Sequence, residues 1–208
     1  MIAGVVVPAH NEQERLPACL AALSVVSERV VVVADACADR TAEVARRSGA
    51  LVVEVAARNV GVARATGVRE LLRRGVSWVA TTDADTVVPP CWLSAQLRRA
   101  ARGWDAVAGT VSVLDWSGHP PGLAAAYARH YAHDSPIHGA NLGFTADAYL
   151  AAGGFPPIAT GEDRALVAAM ERAGSRVLRT AKVNVVTSAR RHYRAPRGFG
   201  HLLTTLEA

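Results

Sequence analysis

The chain reads as an α/β protein with a mostly parallel central sheet flanked by helices. Three observations predict this. Apolar, β-branched runs recur through the first half, segments of helical apolar spacing separate them, and the two alternate at the pace of βαβ units. Right-handed crossovers then put helices on both faces of the sheet.

The series opens with Val5-Val6-Val7 as the first strand. Leu16, Leu20 and Leu23 follow at helical spacing, with Pro17 in the first turn, where its missing N–H costs least. Val30 to Val33 is the second strand, Thr41 to Arg47 the second helix, and Leu51 to Val55 the third strand. Ala63 to Arg73 is the third helix, with Leu71 and Leu72 facing inward. Val76 to Thr81 is the fourth strand. A helix is expected over Cys91 to Arg102, after Pro89-Pro90, and a strand over Ala106 to Leu114. Asp115 to Pro121 has turn composition, and the rhythm changes there. Leu123 to His133 reads as a helix, His138 to Phe144 as a glycine-containing strand or loop, and Asp147 to Ala152 as a short helix. Glu162 to Ala173 is a helix closed by Gly174. Val177-Leu178 and Val183 to Thr187 read as two short strands before an arginine-rich end. One domain, 1–208, is expected, dividing near residue 115 into a first part, 1–114, with the look of a nucleotide-binding half-fold, and a second part, 115–208, built onto the same sheet.

Composition narrows the function. The 208 residues are enough for a sizeable core, and half are apolar. The formal charge of +5 rests on arginine, since Lys182 is the only lysine. A mild basic excess favours anionic partners such as nucleotides. No recognition motif accompanies the charge, so nucleic acid is not expected. The arginines leave peripheral contact with a membrane surface open. Three cysteines, at 19, 37 and 91, form neither a disulfide framework nor a paired metal motif, and Cys19 suits a buried helix face. No basic leader and no long apolar run is present, so a cytoplasmic setting is the expectation.

The sharpest chemical feature is Thr82-Asp83-Ala84-Asp85-Thr86. It follows the fourth strand and lands at the carboxyl edge of the sheet, where ligands of open α/β sheets bind. Carboxylates one residue apart can share a divalent ion and its diphosphate, and hard oxygen ligands suit Mg2+ or Mn2+. Solvated aspartates at a strand end are the plain alternative. Val7-Pro8-Ala9-His10-Asn11-Glu12 leaves the first strand at the same edge, and Asp35 leaves the second. Both can meet a ribose or base, or cap a helix. Arg58-Asn59-Val60-Gly61-Val62-Ala63-Arg64 opens the third helix. Arg58 or Arg64 can reach phosphate oxygens, although the stretch supports capping equally well. Glu162 and Asp163 open a later helix, where the exposed N–H groups favour acids. As a catalytic pair, Asp163 is the base and Glu162 its supporting acid. His138-Gly139-Ala140-Asn141 suits a narrow sugar or acceptor channel.

Together these motifs resemble family 2 glycosyltransferases of the GT-A fold, over Val5 to about Gly200. The resemblance implies a small, soluble, non-processive enzyme that takes a sugar from a nucleotide-diphosphate sugar to an acceptor hydroxyl, with inversion and with Mn2+ or Mg2+. The acceptor would be a small molecule, a glycan or a lipid. Pro8, His10 and Glu12 would form the base and ribose edge, and Asp35 would read the base. Asp83 would meet ribose or metal-bound water, and Asp85 would hold the metal. Asn141 would lie near the donor sugar, and Asp163 would be the general base. A late histidine, His192 or His201, would complete the metal site. Arg190 and Arg191 would close over the diphosphate, or else belong to a solvated terminus. The Gln-x-x-Arg-Trp pattern of processive synthases is absent, and Ser188-Ala189-Arg190-Arg191 stands in that region. A nucleotidyltransferase of related α/β fold and a non-catalytic nucleotide- or carbohydrate-binding module are the competing readings. The first lacks a glycine- and lysine-rich triphosphate loop, and the second leaves Glu162-Asp163 without a task.

Overall fold

Alternate valines of the first strand decide the layering. In β1 (Ala3–Ala9), Val5 and Val7 face one apolar layer and Val6 faces the other. This period of two is what a strand buried on both faces requires. A computed structural model describes residues 1–133, 137–191 and 199–207. From β1 the chain passes through α1 (Leu16–Ser24), β2 (Val30–Asp35), α2 (Thr41–Arg47), β3 (Leu51–Val55) and α3 (Val60–Arg73) to β4 (Trp78–Thr81). The elements then run β5 (Thr86–Val87), α4 (Trp92–Ala100), β6 (Ala106–Ser112), α5 (Leu123–His133) and β7 (Leu142–Thr145). The last are α6 (Ala146–Ala151), α7 (Glu162–Arg172), β8 (Val177–Thr187) and α8 (Phe199–Glu207).

One eight-stranded sheet holds them, in the order β3-β2-β1-β4-β7-β6-β8-β5. The first half is parallel, as expected: β3 on β2, β2 on β1, and β1 on β4. The second half adds a fourth parallel pairing, β6 on β8, to three antiparallel ones, so the parallel pairings remain the majority, as expected. β7 runs antiparallel to both β4 and β6, and β5 runs antiparallel to β8, so the sheet is mixed. The two short late strands are one strand, β8, whose pairing with β6 shifts register between Gly109 and Thr110. β5 and α8 are additions to the expected elements.

The core lies in two layers. Leu16, Leu20, Leu23, Trp78 and Trp92 pack on one face of the sheet. Val68, Leu71, Phe144, Leu166 and Met170 pack on the other. A satellite cluster of Leu123, Tyr127 and Leu203 seats α8 against α5. Among the described residues no helix is long and apolar enough to cross a membrane.

Candidate active site

The carboxyl ends of β1, β2, β3 and β4 open into a cavity of about 700 Å³. That is the scale of a small-molecule site at a sheet edge. Pro8, His10, Glu12, Asp35, Arg58, Arg64, Asp83, Asp85, Glu162, Asp163 and Arg190 all line it, although they come from six separate stretches of chain.

The loops after the first three strands each contain one non-glycine residue in the left-handed region: Asn11 (φ 53), Ala36 (φ 50) and Arg58 (φ 47). Side chains hold these loops. Asn11 Oδ1 accepts from the N–H of Ala38 at 2.7 Å, and Thr41 Oγ1 accepts from the N–H of Glu12 at 2.7 Å. His10 Nδ1–H donates to the carbonyl of Asp35 at 2.7 Å. The Asp35 carboxylate is engaged with backbone: Oδ1 accepts from Ala57 and Arg58 N–H at 2.7 and 2.8 Å, and Oδ2 from Asn59 N–H at 2.7 Å. Asp35 thus shapes the loop that carries Arg58, and it lines the cavity as well. The Arg58 side chain reaches the cavity rim in an exposed position.

Two arginines cross the cavity floor, and each joins two acids. Arg64, 4% exposed, bonds Glu162 through Nη1 and Asp83 Oδ1 through Nη2, the latter at 2.5 Å. Arg190 bonds Glu12 Oε1 at 2.6 Å and Asp85 Oδ2 at 3.2 Å. Both acids of the Asp83-Ala84-Asp85 triplet therefore have an arginine from a distant element. Arg64 lies between the carboxylates at the cavity wall. Glu162 bonds it and is joined to Asp83 through it. Gly139 makes this possible, because a Cβ there would stand 2.3 Å from Arg64 Cζ. Burial pushes Asp85 up to about 6; Arg190 opposes the rise and the neighbouring charges of Asp83 and Glu12 reinforce it.

Asp163 stands half-buried at the start of α7, after Gly161 in the left-handed conformation (φ 78). Its Oδ2 accepts from Gly139 N–H at 2.6 Å and its Oδ1 from Arg164 N–H at 2.7 Å. A carboxylate has about four acceptor positions, so capacity remains toward the cavity. His138 lies beside it, and burial holds its imidazole down to about 4 against the pull of Asp163 and Asp83.

Asn141 does not take part. It is fully buried; Oδ1 accepts from Trp92 Nε1 at 2.8 Å, and Nδ2 donates to the carbonyls of Thr110 and Val183 at 2.8 and 3.0 Å. It ties α4, β6 and β8 together, which corrects the donor-contact expectation. Arg191 is corrected likewise. It points outward and bonds the Gly118 carbonyl at 3.0 Å and Glu207 Oε2 at 3.2 Å. Burial pushes the Cys19 thiol up, as suits a structural cysteine.

The fit of a divalent ion rests on Asp83 and Asp85. Among the described residues no group of three or more His, Cys, Asp or Glu side chains is placed to hold one. His192 lies outside the described residues; His201 lines the cavity. The two aspartates are hard oxygen donors at the cavity wall, so they fit an ion whose other ligands are diphosphate oxygens and water. They do not form a closed protein cage.

Comparison with known proteins agrees with this geometry. Residues 4–142 match the family model for glycosyl transferase family 2. No curated protein sequence matches the chain significantly. Three solved structures share the fold. TarS 1-349 from S. aureus, in complex with UDP-GlcNAc, has a TM-score of 0.73 at 15% identity, over 96% of this chain and 62% of that one. The mannosyltransferase PcManGT from Pyrobaculum calidifontis, with GDP-Man and Mn2+, has a TM-score of 0.72 at 20% identity, over 91% and 57%. Glucosyl-3-phosphoglycerate synthase from Mycobacterium tuberculosis, with Mg2+ and UDP, has a TM-score of 0.61 at 20% identity, over 97% and 74%. The chain thus spans about three-fifths of the length of the first two.

Proposed function

The chain belongs to glycosyl transferase family 2, and from that premise we propose that it transfers a sugar from a nucleoside-diphosphate sugar to an acceptor hydroxyl, with inversion and with help from a divalent ion. One observation carries the reading: the Pro8–Glu12 loop, the Asp83-Ala84-Asp85 triplet and Asp163 line a single cavity at the carboxyl edge of the sheet. The ligands of the structural neighbours, UDP-GlcNAc, GDP-Man with Mn2+, and UDP with Mg2+, support it.

In this reading Pro8, His10 and Glu12 border the base and ribose, and Asp35 holds the neighbouring loop in shape. Arg58 and Arg190 supply cationic partners for the diphosphate. Asp85, with Asp83, would hold Mn2+ or Mg2+, whose chemistry when bound is to screen the departing diphosphate. Asp163 accepts the proton of the acceptor hydroxyl while its oxygen attacks the anomeric carbon. The bond from that carbon to the diphosphate breaks on the opposite face, and the diphosphate leaves with the electron pair. The acceptor is a small molecule, a glycan or a lipid; a lipid would bring the chain to a membrane surface.

The test is thermal stabilisation by UDP, GDP and their sugar conjugates, each with Mn2+ and with chelator. Stabilisation by one diphosphate and its conjugate, larger with metal, is the expected result. An unchanged melting temperature with all of them would overturn the reading. Asp163→Asn should then retain donor affinity while transfer slows about 10²- to 10⁴-fold, the usual share of a general base.

A further inference from the structure

Consecutive arginines leave β8 in opposite directions. Arg190 turns into the cavity and joins Glu12 to Asp85, with its side chain 18% exposed. Arg191 turns outward, 56% exposed, onto Glu207 and the Gly118 carbonyl. The outer contacts form a clasp around the same short segment. His119 places Nε2 on the carbonyl of Ala189 and Nδ1 on Glu207 Oε1, the second at 2.8 Å. The His119 side chain is 4% exposed and that of Glu207 15%. Ser188 Oγ accepts from the N–H of Arg190 at 3.3 Å, bracing the turn between the two arginines.

Glu207 thus gathers the turn at Gly118-His119, the end of α8 and the segment that bears Arg190. His119, Arg191 and Glu207 lie outside the cavity lining, which Ser188 joins from the segment they hold. From this arrangement we infer that Glu207 and His119 are positioning residues, which hold the Ser188–Arg191 segment so that Arg190 projects over the donor acids. The inference rests on the donor-site reading above. A freely moving arginine loses rotamer entropy on meeting a diphosphate, whereas one held in place has already given it up. The clasp therefore acts on donor affinity through Arg190, and a double-mutant cycle separates that route from the part of α8 that lines the cavity.

The experiment is a double-mutant cycle on the full chain, read as the Kd of UDP and of GDP by calorimetry. Glu207→Ala should raise the Kd of the better-bound diphosphate about five- to tenfold, the size of a coupling within one hydrogen-bond network. In an Arg190→Ala background the same substitution should change Kd less than about twofold. His119→Gln probes the clasp from its other end and replaces Glu207→Ala if that variant does not fold. A merely structural role would lower the melting temperature and leave Kd unchanged, which overturns the inference. So would an equal loss of affinity in both backgrounds. A parent chain that binds neither diphosphate overturns the donor-site reading itself, and the clasp's role with it.

Discussion

Arg64 organises the acids at the back of the cavity. Its guanidinium is buried and joins buried Glu162 to the partly exposed Asp83, so two of the three charges stand where water scarcely reaches. Removing one member of such a group leaves the others charged and unpaired. Arg64→Ala should cost about 3–5 kcal/mol in denaturant unfolding, far beyond the loss from an exposed ion pair such as Arg46–Glu54. Arg64→Met combined with Glu162→Gln should recover most of that loss, because the buried charge goes with its partner. A loss under about 1 kcal/mol for Arg64→Ala would place the network in solvent. Asp83 and Glu162 were each legible as acids near a ligand edge. Their common partner was not, because Arg64 sat in a stretch whose glycine and asparagine pointed equally to helix capping. Ion pairing over 98 residues of separation leaves no periodicity to read.

The junction between α3 and the loop before α7 aligns the two halves of the cavity. Asn59 caps α3 by accepting from Val62 N–H at 3.1 Å, donates its own N–H to Asp35, and gives an Nδ2 bond to the Pro157 carbonyl at 3.0 Å. Gly61 lies under the same loop, and a Cβ there would meet Pro156 O at 2.2 Å. Gly61→Ala gains about 1 kcal/mol of helix propensity, but the contact is to backbone and cannot rotate aside. A net loss of about 1–3 kcal/mol by chemical denaturation is expected, with slower transfer because Asp163 follows that loop. A stabilised variant would show that the loop yields. Elements of the first half were readable because each buries its own apolar face, as alternate valines in β1 and the leucines of α1 do. β7 and β8 were harder. Gly139–Asn141 forms a 3-10 turn whose polar side chain is buried for packing, and β8 runs through the polar stretch Arg179–Lys182 without a break. Pairing with β6, absent from the local pattern, holds Arg179 and Thr180 extended, and Ala181 and Lys182 fall in the register shift between Gly109 and Thr110. α8 was missed for a related reason: nine residues beside an arginine-rich segment carry a weak signal until α5 supplies a surface for Leu203.

At the scale of the whole molecule, two buried groups in one cavity set opposite pH responses. Burial raises Asp85 from 3.8 to about 6, so the folded state holds its proton more tightly than the unfolded chain. The stability this contributes is present below about pH 4 and is lost as pH rises through about 6. Burial lowers His138 from 6.5 to about 4, so its neutral form is favoured in the fold. Its contribution is present above about pH 6.5 and is lost as pH falls toward about 4. Each contribution is about 3 kcal/mol at most, and the two windows overlap almost completely. The parent's stability should therefore vary little from these groups between about pH 4 and 6.5. Substitution separates them. Asp85→Asn keeps only the histidine's slope, so its stability relative to the parent should rise with pH across that window. His138→Asn keeps only the aspartate's slope, so its relative stability should fall. Urea unfolding of all three proteins at half-unit pH steps reads the two slopes directly. Parallel curves for the parent and both variants would place both groups in solvent. The pairing also separates stability from activity. A neutral His138 does not charge until well below the pH at which Asp85 ionises, so an acidic limb near pH 6 in donor binding should vanish in Asp85→Asn and persist in His138→Asn.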